Sequence, residues 1–324
     1  MNYHLGAPGA TDQLKLDSEP FAFGGEGNLH DISVFGLPQI AKIFHQALSL
    51  NSAKHGFLKN LVELSRADNL LNRAALPWQL IFDQNDQLAG YTMQSCLGWS
   101  NLGDLLQDDE AEFGFKEVAW VFCRLHQALT AAHSAGLVIG DFNAGNIMFR
   151  LNGQNCEVCL VDTDSWNKPA DNYYSLMIKP GQAQHPELYQ AIVNNQALPP
   201  VKTGHDWWSF AYLLFCSLTK CDPFSGAKTD NKGELLEETE RILGKLTVRY
   251  PDIQQDPDNA RRILAIGKPQ MISLDRLLTA KSGGQYPLWL LAELYRYAAP
   301  CHNCGNEVNY KPGVCPYCAA ALWT

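Results

Sequence analysis

Three side chains near the middle of the chain have the types and the spacing of a reactive centre. Asp141 and Asn146 stand as D-x-x-x-x-N in I-G-D-F-N-A-G-N-I-M-F-R, and Asp162 follows sixteen residues after Asn146, in C-L-V-D-T-D-S-W. One carboxylate can accept or orient the proton of an attacking hydroxyl. A second carboxylate and a carboxamide are hard oxygen ligands that can hold Mg²⁺ against phosphates. A loop between two short strands can bring all three to one point. G-D-F-N-A-G-N is also good turn chemistry on its own, so it is Asp162 behind it that favours the chemical reading.

Upstream residues could serve the same chemistry. Gly24, Gly25 and Gly27 lie between Phe21/Phe23 and Leu29/Ile32, a strand–turn–strand pattern whose turn lets backbone amides reach phosphate oxygens without a Cβ in the way. Lys42 sits on the alternating segment Q-I-A-K-I-F, fifteen residues after Gly27. Residues 52–65 read as a helix with Leu58, Leu61 and Val62 on one face. Glu63 is the acidic residue there that could pair with Lys42, although it shares the polar face with Gly56, Lys59 and Asn60.

The elements that must position these groups follow from periodicity. P-W-Q-L-I-F-D-Q-N-D-Q-L-A-G-Y-T-M reads as a hairpin. Residues 115–135 form an amphipathic helix with Val118, Val121, Phe122, Leu125 and Leu129 inward, stopped by Gly136. Further helices are expected at 233–245, 257–266, 271–279 and 287–298, and residues 1–19 read as a polar lead-in. Of 324 residues 46% are hydrophobic, an ordinary globular composition. A net charge of −9, from 25 basic and 34 acidic residues, argues against a nucleic-acid surface or a polybasic membrane anchor. The longest strongly apolar run, residues 210–218, is too short to span a bilayer. With no signal-peptide pattern at the start, the expected location is the cytoplasm.

Ten cysteines divide into classes. Cys96, Cys123, Cys216 and Cys221 lie in or beside apolar segments and read as small buried hydrophobes. Cys156 and Cys159 share an expected strand, where positions i and i+3 point to opposite faces, and read as packing. Cys301, Cys304, Cys315 and Cys318 form two C-x-x-C knuckles whose four thiolates suit tetrahedral Zn²⁺. The segment resembles a zinc ribbon, a module too small to build its own core without metal.

Over roughly residues 20–298 the chain resembles a bacterial protein kinase of the eukaryotic Ser/Thr type. G-G-E-G, V-I-G-D-F-N-A-G-N and V-D-T-D-S-W resemble, more narrowly, a divergent subgroup often found beside a PP2C-type phosphatase and a von Willebrand A protein. The resemblance implies an α+β, two-lobed fold with an N-terminal lead-in (1–19), a β-rich upper lobe (20–95), a mainly helical lower lobe (96–298) and a four-cysteine zinc ribbon (299–324). It implies ATP, Mg²⁺ and a protein substrate. By position, Asp141 matches the catalytic base, Asn146 and Asp162 the Mg²⁺ ligands, and Lys42 the phosphate-binding lysine. Tyr91 and Met93 fall where the connection between lobes meets adenine. Glu187 matches the glutamate of A-P-E, and Asp206 the aspartate that braces the catalytic loop from below.

The departures are specific. Ile139 and Gly140 replace the His and Arg before the catalytic aspartate, Asn143 replaces the loop lysine, and Thr163-Asp164 replace Phe-Gly. Phosphoryl transfer rests on positioning and electrostatics, so the remaining residues suffice for a slow enzyme. A nucleotide-binding pseudokinase scaffold is one alternative. Another is a small-molecule kinase, since G-D-F-N-A-G-N-I also resembles the loop of aminoglycoside and choline phosphotransferases; H-P-E, D-W-W-S and P-F-S-G favour a protein substrate.

Overall fold

The computed structural model describes residues 3–8, 12–16, 19–34, 36–67, 73–107, 113–153, 155–175, 184–230, 232–249, 253–280, 284–309 and 313–322. Seven strands build one antiparallel sheet: β1 (Tyr3–Leu5), β2 (Gln13–Leu14), β3 (Ala22–Phe23), β4 (Gly27–Val34), β5 (Leu37–Leu48), β6 (Gln79–Phe82) and β7 (Leu88–Gln94). Their spatial order is β2-β1-β6-β7-β5-β4-β3. Helix α1 (Ala53–Ala67) connects β5 to β6 and buries Phe57, Leu58, Leu61 and Val62, the apolar face its spacing dictates. The expected lead-in is in part a structural element. Tyr3, Leu5 and Leu14 bury themselves with Ile32, Ile43 and Ile81 on one side of the sheet. Strands of two and three residues are too short for alternation to announce them.

The second half is helical around one hairpin. After β8 (Ser100–Asn101) and α2 (Leu102–Gln107) come α3 (Phe115–Ser134), then β9 (Ile147–Asn152) and β10 (Asn155–Leu160). Next follow α4 (Pro186–Val193), α5 (Thr203–Thr219), α6 (Glu238–Leu243), α7 (Pro257–Ala265), α8 (Lys268–Thr279) and α9 (Leu288–Tyr297). α3 is the axis, packed by α5, α9 and β10, with Val118, Val121, Phe122, Leu125 and Leu129 fully buried. α6 is shorter than the expected 233–245. Asp230 turns the chain by accepting from the Lys232 and Glu234 amides at 2.7 and 2.9 Å, and a bridge from Thr229 to Leu235 keeps the next residues extended. The tail adds two small hairpins, β11 (Ala298–Pro300) with β12 (Glu307–Asn309) and β13 (Gly313–Val314) with β14 (Ala321–Leu322).

This α+β arrangement, a β-rich part over a helical one, is compatible with a kinase-like fold. No helix among the described residues is long and apolar enough to cross a membrane.

Candidate active site

The hairpin explains how residues sixteen apart in sequence become neighbours. β9 and β10 pair in register from Ile147 with Leu160 to Asn152 with Asn155. Asn146 therefore sits opposite the exit of β10, and the Val161 amide donates to its carbonyl at 2.9 Å. Asp162 follows at once. On the other side, the Asn146 side-chain amide donates to the Asp141 carbonyl at 3.1 Å. With that nitrogen committed, the carboxamide oxygen is the atom Asn146 can offer a cation. Asp141, Asn143, Asn146 and Asp162 all line one cleft of about 620 Å³.

Asp162 adopts left-handed backbone angles, φ 58° and ψ 40°, which cost a non-glycine residue roughly 1 kcal/mol. The Ser165 amide and hydroxyl hold the turn by donating to the Asp162 carbonyl at 3.1 and 2.7 Å. Below the loop, fully buried Asp206 accepts from the Ile139 and Gly140 amides at 2.9 and 2.8 Å and from His133 at 2.8 Å. The bracing expected of Asp206 is present, and His133 joins it. The glycine that stands in place of arginine also has a cause. Gly140 has φ +78°, and a Cβ there would lie 2.6 Å from the Asn167 side-chain nitrogen. Asn167 itself donates to the Val138 and Ile139 carbonyls, so the loop is held by an amide where a bulkier residue at 140 would not fit.

Lys42 reaches this centre from the sheet. Its ammonium lies 2.7 Å from Asp162 and 2.7 Å from Asp164. Glu63 is not its partner: it is exposed on α1, by a shallow groove with Asp171 and Tyr173. The buried carboxylate of Asp164 takes that place, and α1 supplies a cation instead. Lys54 lies 3.2 Å from Asp164 and 2.6 Å from Glu26 in the glycine turn. Tyr91 donates its phenol to Asp164 at 2.7 Å. Burial alone would drive the Asp164 carboxyl up and the Lys42 ammonium down. Lys42 and Lys54 hold Asp164 far below the carboxylate range, while Asp164 and then Asp162 hold Lys42 above the lysine range. Asp164, Lys54 and Glu26 are the functional candidates that sequence reasoning missed. The available signal was the second aspartate of D-T-D, next to an upstream helix that lacks an inward acid.

Gly24, Gly25 and Gly27 roof the cleft, and Tyr91 and Met93 line its wall. The Gly24 amide donates to the Gly27 carbonyl at 2.9 Å, closing the expected turn. A Cβ at Gly27 would lie 2.4 Å from the Ile43 carbonyl oxygen, so only glycine permits this approach of β4 to β5. Tyr91, wholly buried, both lines the cleft and fixes Asp164 through its phenol. The carboxylate of Asp162, 39% exposed, and the oxygen of Asn146 form a donor set that suits Mg²⁺.

In the tail, Cys301, Cys304, Cys315 and Cys318 have their sulfurs within 4.8 Å of one another. The 301–318 and 304–315 pairs stand 3.8 Å apart, the edge of a tetrahedron with Zn–S distances of about 2.3 Å. The donor set fits zinc. Both knuckles turn alike, with the backbone left-handed one residue after the second cysteine, at Gly305 and Ala319. Glu307 accepts from the Phe115 amide at the start of α3, and Asn309 donates to the Ile266 carbonyl at 2.9 Å. A second cluster, His185, Glu187 and His205, is also compact but suits a metal poorly. Each ring uses Nδ1 to accept a backbone amide, from Glu187 at 3.1 Å and from Lys202 at 3.4 Å. Each neutral ring therefore carries its proton on Nε2 and has no lone pair there for a cation.

No protein-family model matches the chain. It is similar to the Caenorhabditis elegans protein that carries the name ribosomal protein S6 kinase alpha-1, at 26% identity over 217 residues. The match covers 64% of this chain and 25% of that protein, so the chain spans about a quarter of the relative's length. This distant match supports a relationship to protein kinases.

Proposed function

We propose that this protein is an ATP- and Mg²⁺-dependent kinase that transfers the γ-phosphoryl group to serine or threonine hydroxyls of a protein, in the cytoplasm. The observation that carries the reading is the convergence of Lys42, Asp141, Asn146 and Asp162 on one glycine-roofed cleft. Lys42 would meet the α and β phosphates, and the amides of the 24–27 turn would cover them. Asp162 and Asn146 would hold the magnesium, which when bound neutralises charge on the phosphates. Asp141 would orient the attacking hydroxyl and take its proton. The ring of Lys54, Asp164 and Tyr91 fixes Lys42 in the site without a glutamate from α1. From the sequence resemblance we add a PP2C-type phosphatase and a von Willebrand A protein as partners.

One observation favours a nucleotide-binding scaffold instead: Lys42 and Asp162 bind each other at 2.7 Å, so both must re-partner before phosphates and metal are held. The deciding experiment incubates the protein with Mg²⁺, γ-labelled ATP and a generic protein substrate, then identifies phosphoamino acids. Labelled serine or threonine on the chain itself or on the substrate supports the kinase. ATP binding with no label would favour the scaffold, and label only on an aminoglycoside or choline would favour the small-molecule class.

A further inference from the structure

The chemistry proposed above uses none of the cysteines outside the tail, yet two of them meet at the edge of the cleft. Cys96 follows β7, in the segment that connects the upper and lower parts of the molecule, and it lines the cleft. Cys159 is fully buried on β10, two residues before the cleft-lining Val161. Each of these two thiols shifts the other's titration more than any other group does. Both also gather around one carboxamide, because Nε2 of Gln94 lies 2.8 Å from the Cys159 sulfur and 3.9 Å from that of Cys96. The C-x-x-C spacing of 156 and 159 thus does not make a pair. Arg124 of α3 donates to the Cys156 carbonyl at 3.1 Å, while Cys159 shares Gln94 with Cys96.

From this geometry we infer that Cys96 and Cys159 are a peroxide-oxidisable pair that closes to a disulfide between the lobe connection and the floor of the cleft. Cys96 is suited to react first. It is partly exposed, whereas Cys159 is buried behind it. The Cys159 thiol, burial notwithstanding, together with the Gln94 amide and the positive charge of Arg150, pulls the Cys96 thiol below its ordinary range. Burial pushes Cys123 up to about 11 and Cys156 up to about 12, which leaves those thiols inert.

The chemistry balances with hydrogen peroxide as the oxidant. The Cys96 thiolate attacks one peroxide oxygen and the O–O bond breaks. The departing hydroxide takes the proton of Cys159 and leaves as water. Cys159 sulfur then attacks the sulfenic acid on Cys96, forming the S–S bond and breaking S–O, and the released hydroxide leaves as a second water with the proton that Cys96 originally gave up. Two thiols lose two electrons and one peroxide gains them.

The test uses the full chain loaded with zinc, reduced, freed of reductant and treated with sub-millimolar hydrogen peroxide. Digestion without reductant and mass spectrometry should give one peptide pair joining Cys96 to Cys159, two hydrogens lighter than the sum and separated by dithiothreitol. In Cys159→Ser, and in Cys159→Ala should the serine variant fold poorly, dimedone should trap Cys96 as its sulfenic acid. In Cys96→Ser, Cys159 should stay fully alkylatable after denaturation. The inference is overturned if wild-type Cys96 remains a free thiol after the tail cysteines have oxidised. It is equally overturned if Cys96 is recovered as sulfinic acid, or bridged to any cysteine other than Cys159. These readouts are independent of whether the cleft binds ATP.

Discussion

At the residue scale, the feature least expected from the sequence is the charge around Lys42. Asp164 is wholly buried, touches Lys42, Lys54 and Tyr91, and sits two residues from Asp162. Replacing it takes away the carboxylate that Lys42 and Lys54 share and leaves each with one, Asp162 and Glu26, at a cost of about 2 kcal/mol. Asp164→Asn should therefore lower the urea midpoint and reduce phosphoryl transfer by roughly 100-fold, the scale of losing one preorganised electrostatic contact. Glu63→Ala should leave both unchanged; a large loss there, with none from Asp164→Asn, would restore the glutamate to the role Asp164 is given. Because the folded Asp164 carboxyl is held far below its ordinary value, the stability it contributes is complete above pH about 4. It is lost only as pH falls through the depressed folded value. That Asp141, Asn146 and Asp162 come to one cleft was legible in their spacing, because a tight hairpin makes a fixed sequence interval into a fixed distance. The partner of Lys42 was not legible. It lies 122 positions away, and only folding selects it over the acid on the nearer helix.

At the scale of elements, two devices give separable predictions. His185 caps α4 through Nδ1, stacked 4.8 Å from His205. Burial first, then His205, lower its ring to about 4, with Lys245 and Lys202 adding to this and Glu187 opposing it. The unfolded ring titrates near 6.5, so between about 6.5 and about 4 the unfolded chain binds a proton that the folded chain refuses. Stability should fall over that window by up to about 3 kcal/mol. His185→Asn keeps an acceptor for the cap and should flatten the slope of denaturant midpoint against pH; an unchanged slope would assign it to other groups. The tail is the second device. Its knuckles were evident in the sequence, but its seat was not, since Glu307 and Asn309 dock by single polar contacts on α3 and beside α8. Zinc analysis should give one ion per chain, lost in the double variant Cys301→Ser, Cys304→Ser. That loss should also raise hydrogen exchange at the first turn of α3 near Phe115, where Glu307 caps it. Zinc loss with α3 unaffected would show a tail that only adjoins the lower part.

On the scale of the whole molecule, the sheet, the hairpin and α3 converge on one cleft, and even the first residues of the chain contribute. Leu14, in a strand of two residues, is 6% exposed among Ile32, Ile43 and Ile81. Leu14→Ala should cost about 2 kcal/mol or more, the usual toll of a buried leucine deletion, whereas a disordered lead-in would tolerate it without effect in thermal melts. The helix at 115–135 was readable within a residue because its apolar stripe is long, and those at 257–266 and 287–298 also form within a residue of their expected bounds. The first two strands and the true length of α6 were hidden, because pairing at a distance and one Asp230 turn decide them. The central claim is a division of labour inside the cleft: Asp162 holds metal and nucleotide, and Asp141 serves the transfer step. It is tested most directly by measuring Mg²⁺-dependent ATP binding and phosphoryl transfer in parallel for wild type, Asp141→Ala and Asp162→Ala. Asp141→Ala should bind Mg²⁺·ATP almost as wild type does while its transfer is abolished, and Asp162→Ala should lose the Mg²⁺-dependent part of binding. Wild-type transfer rates in both variants would contradict it.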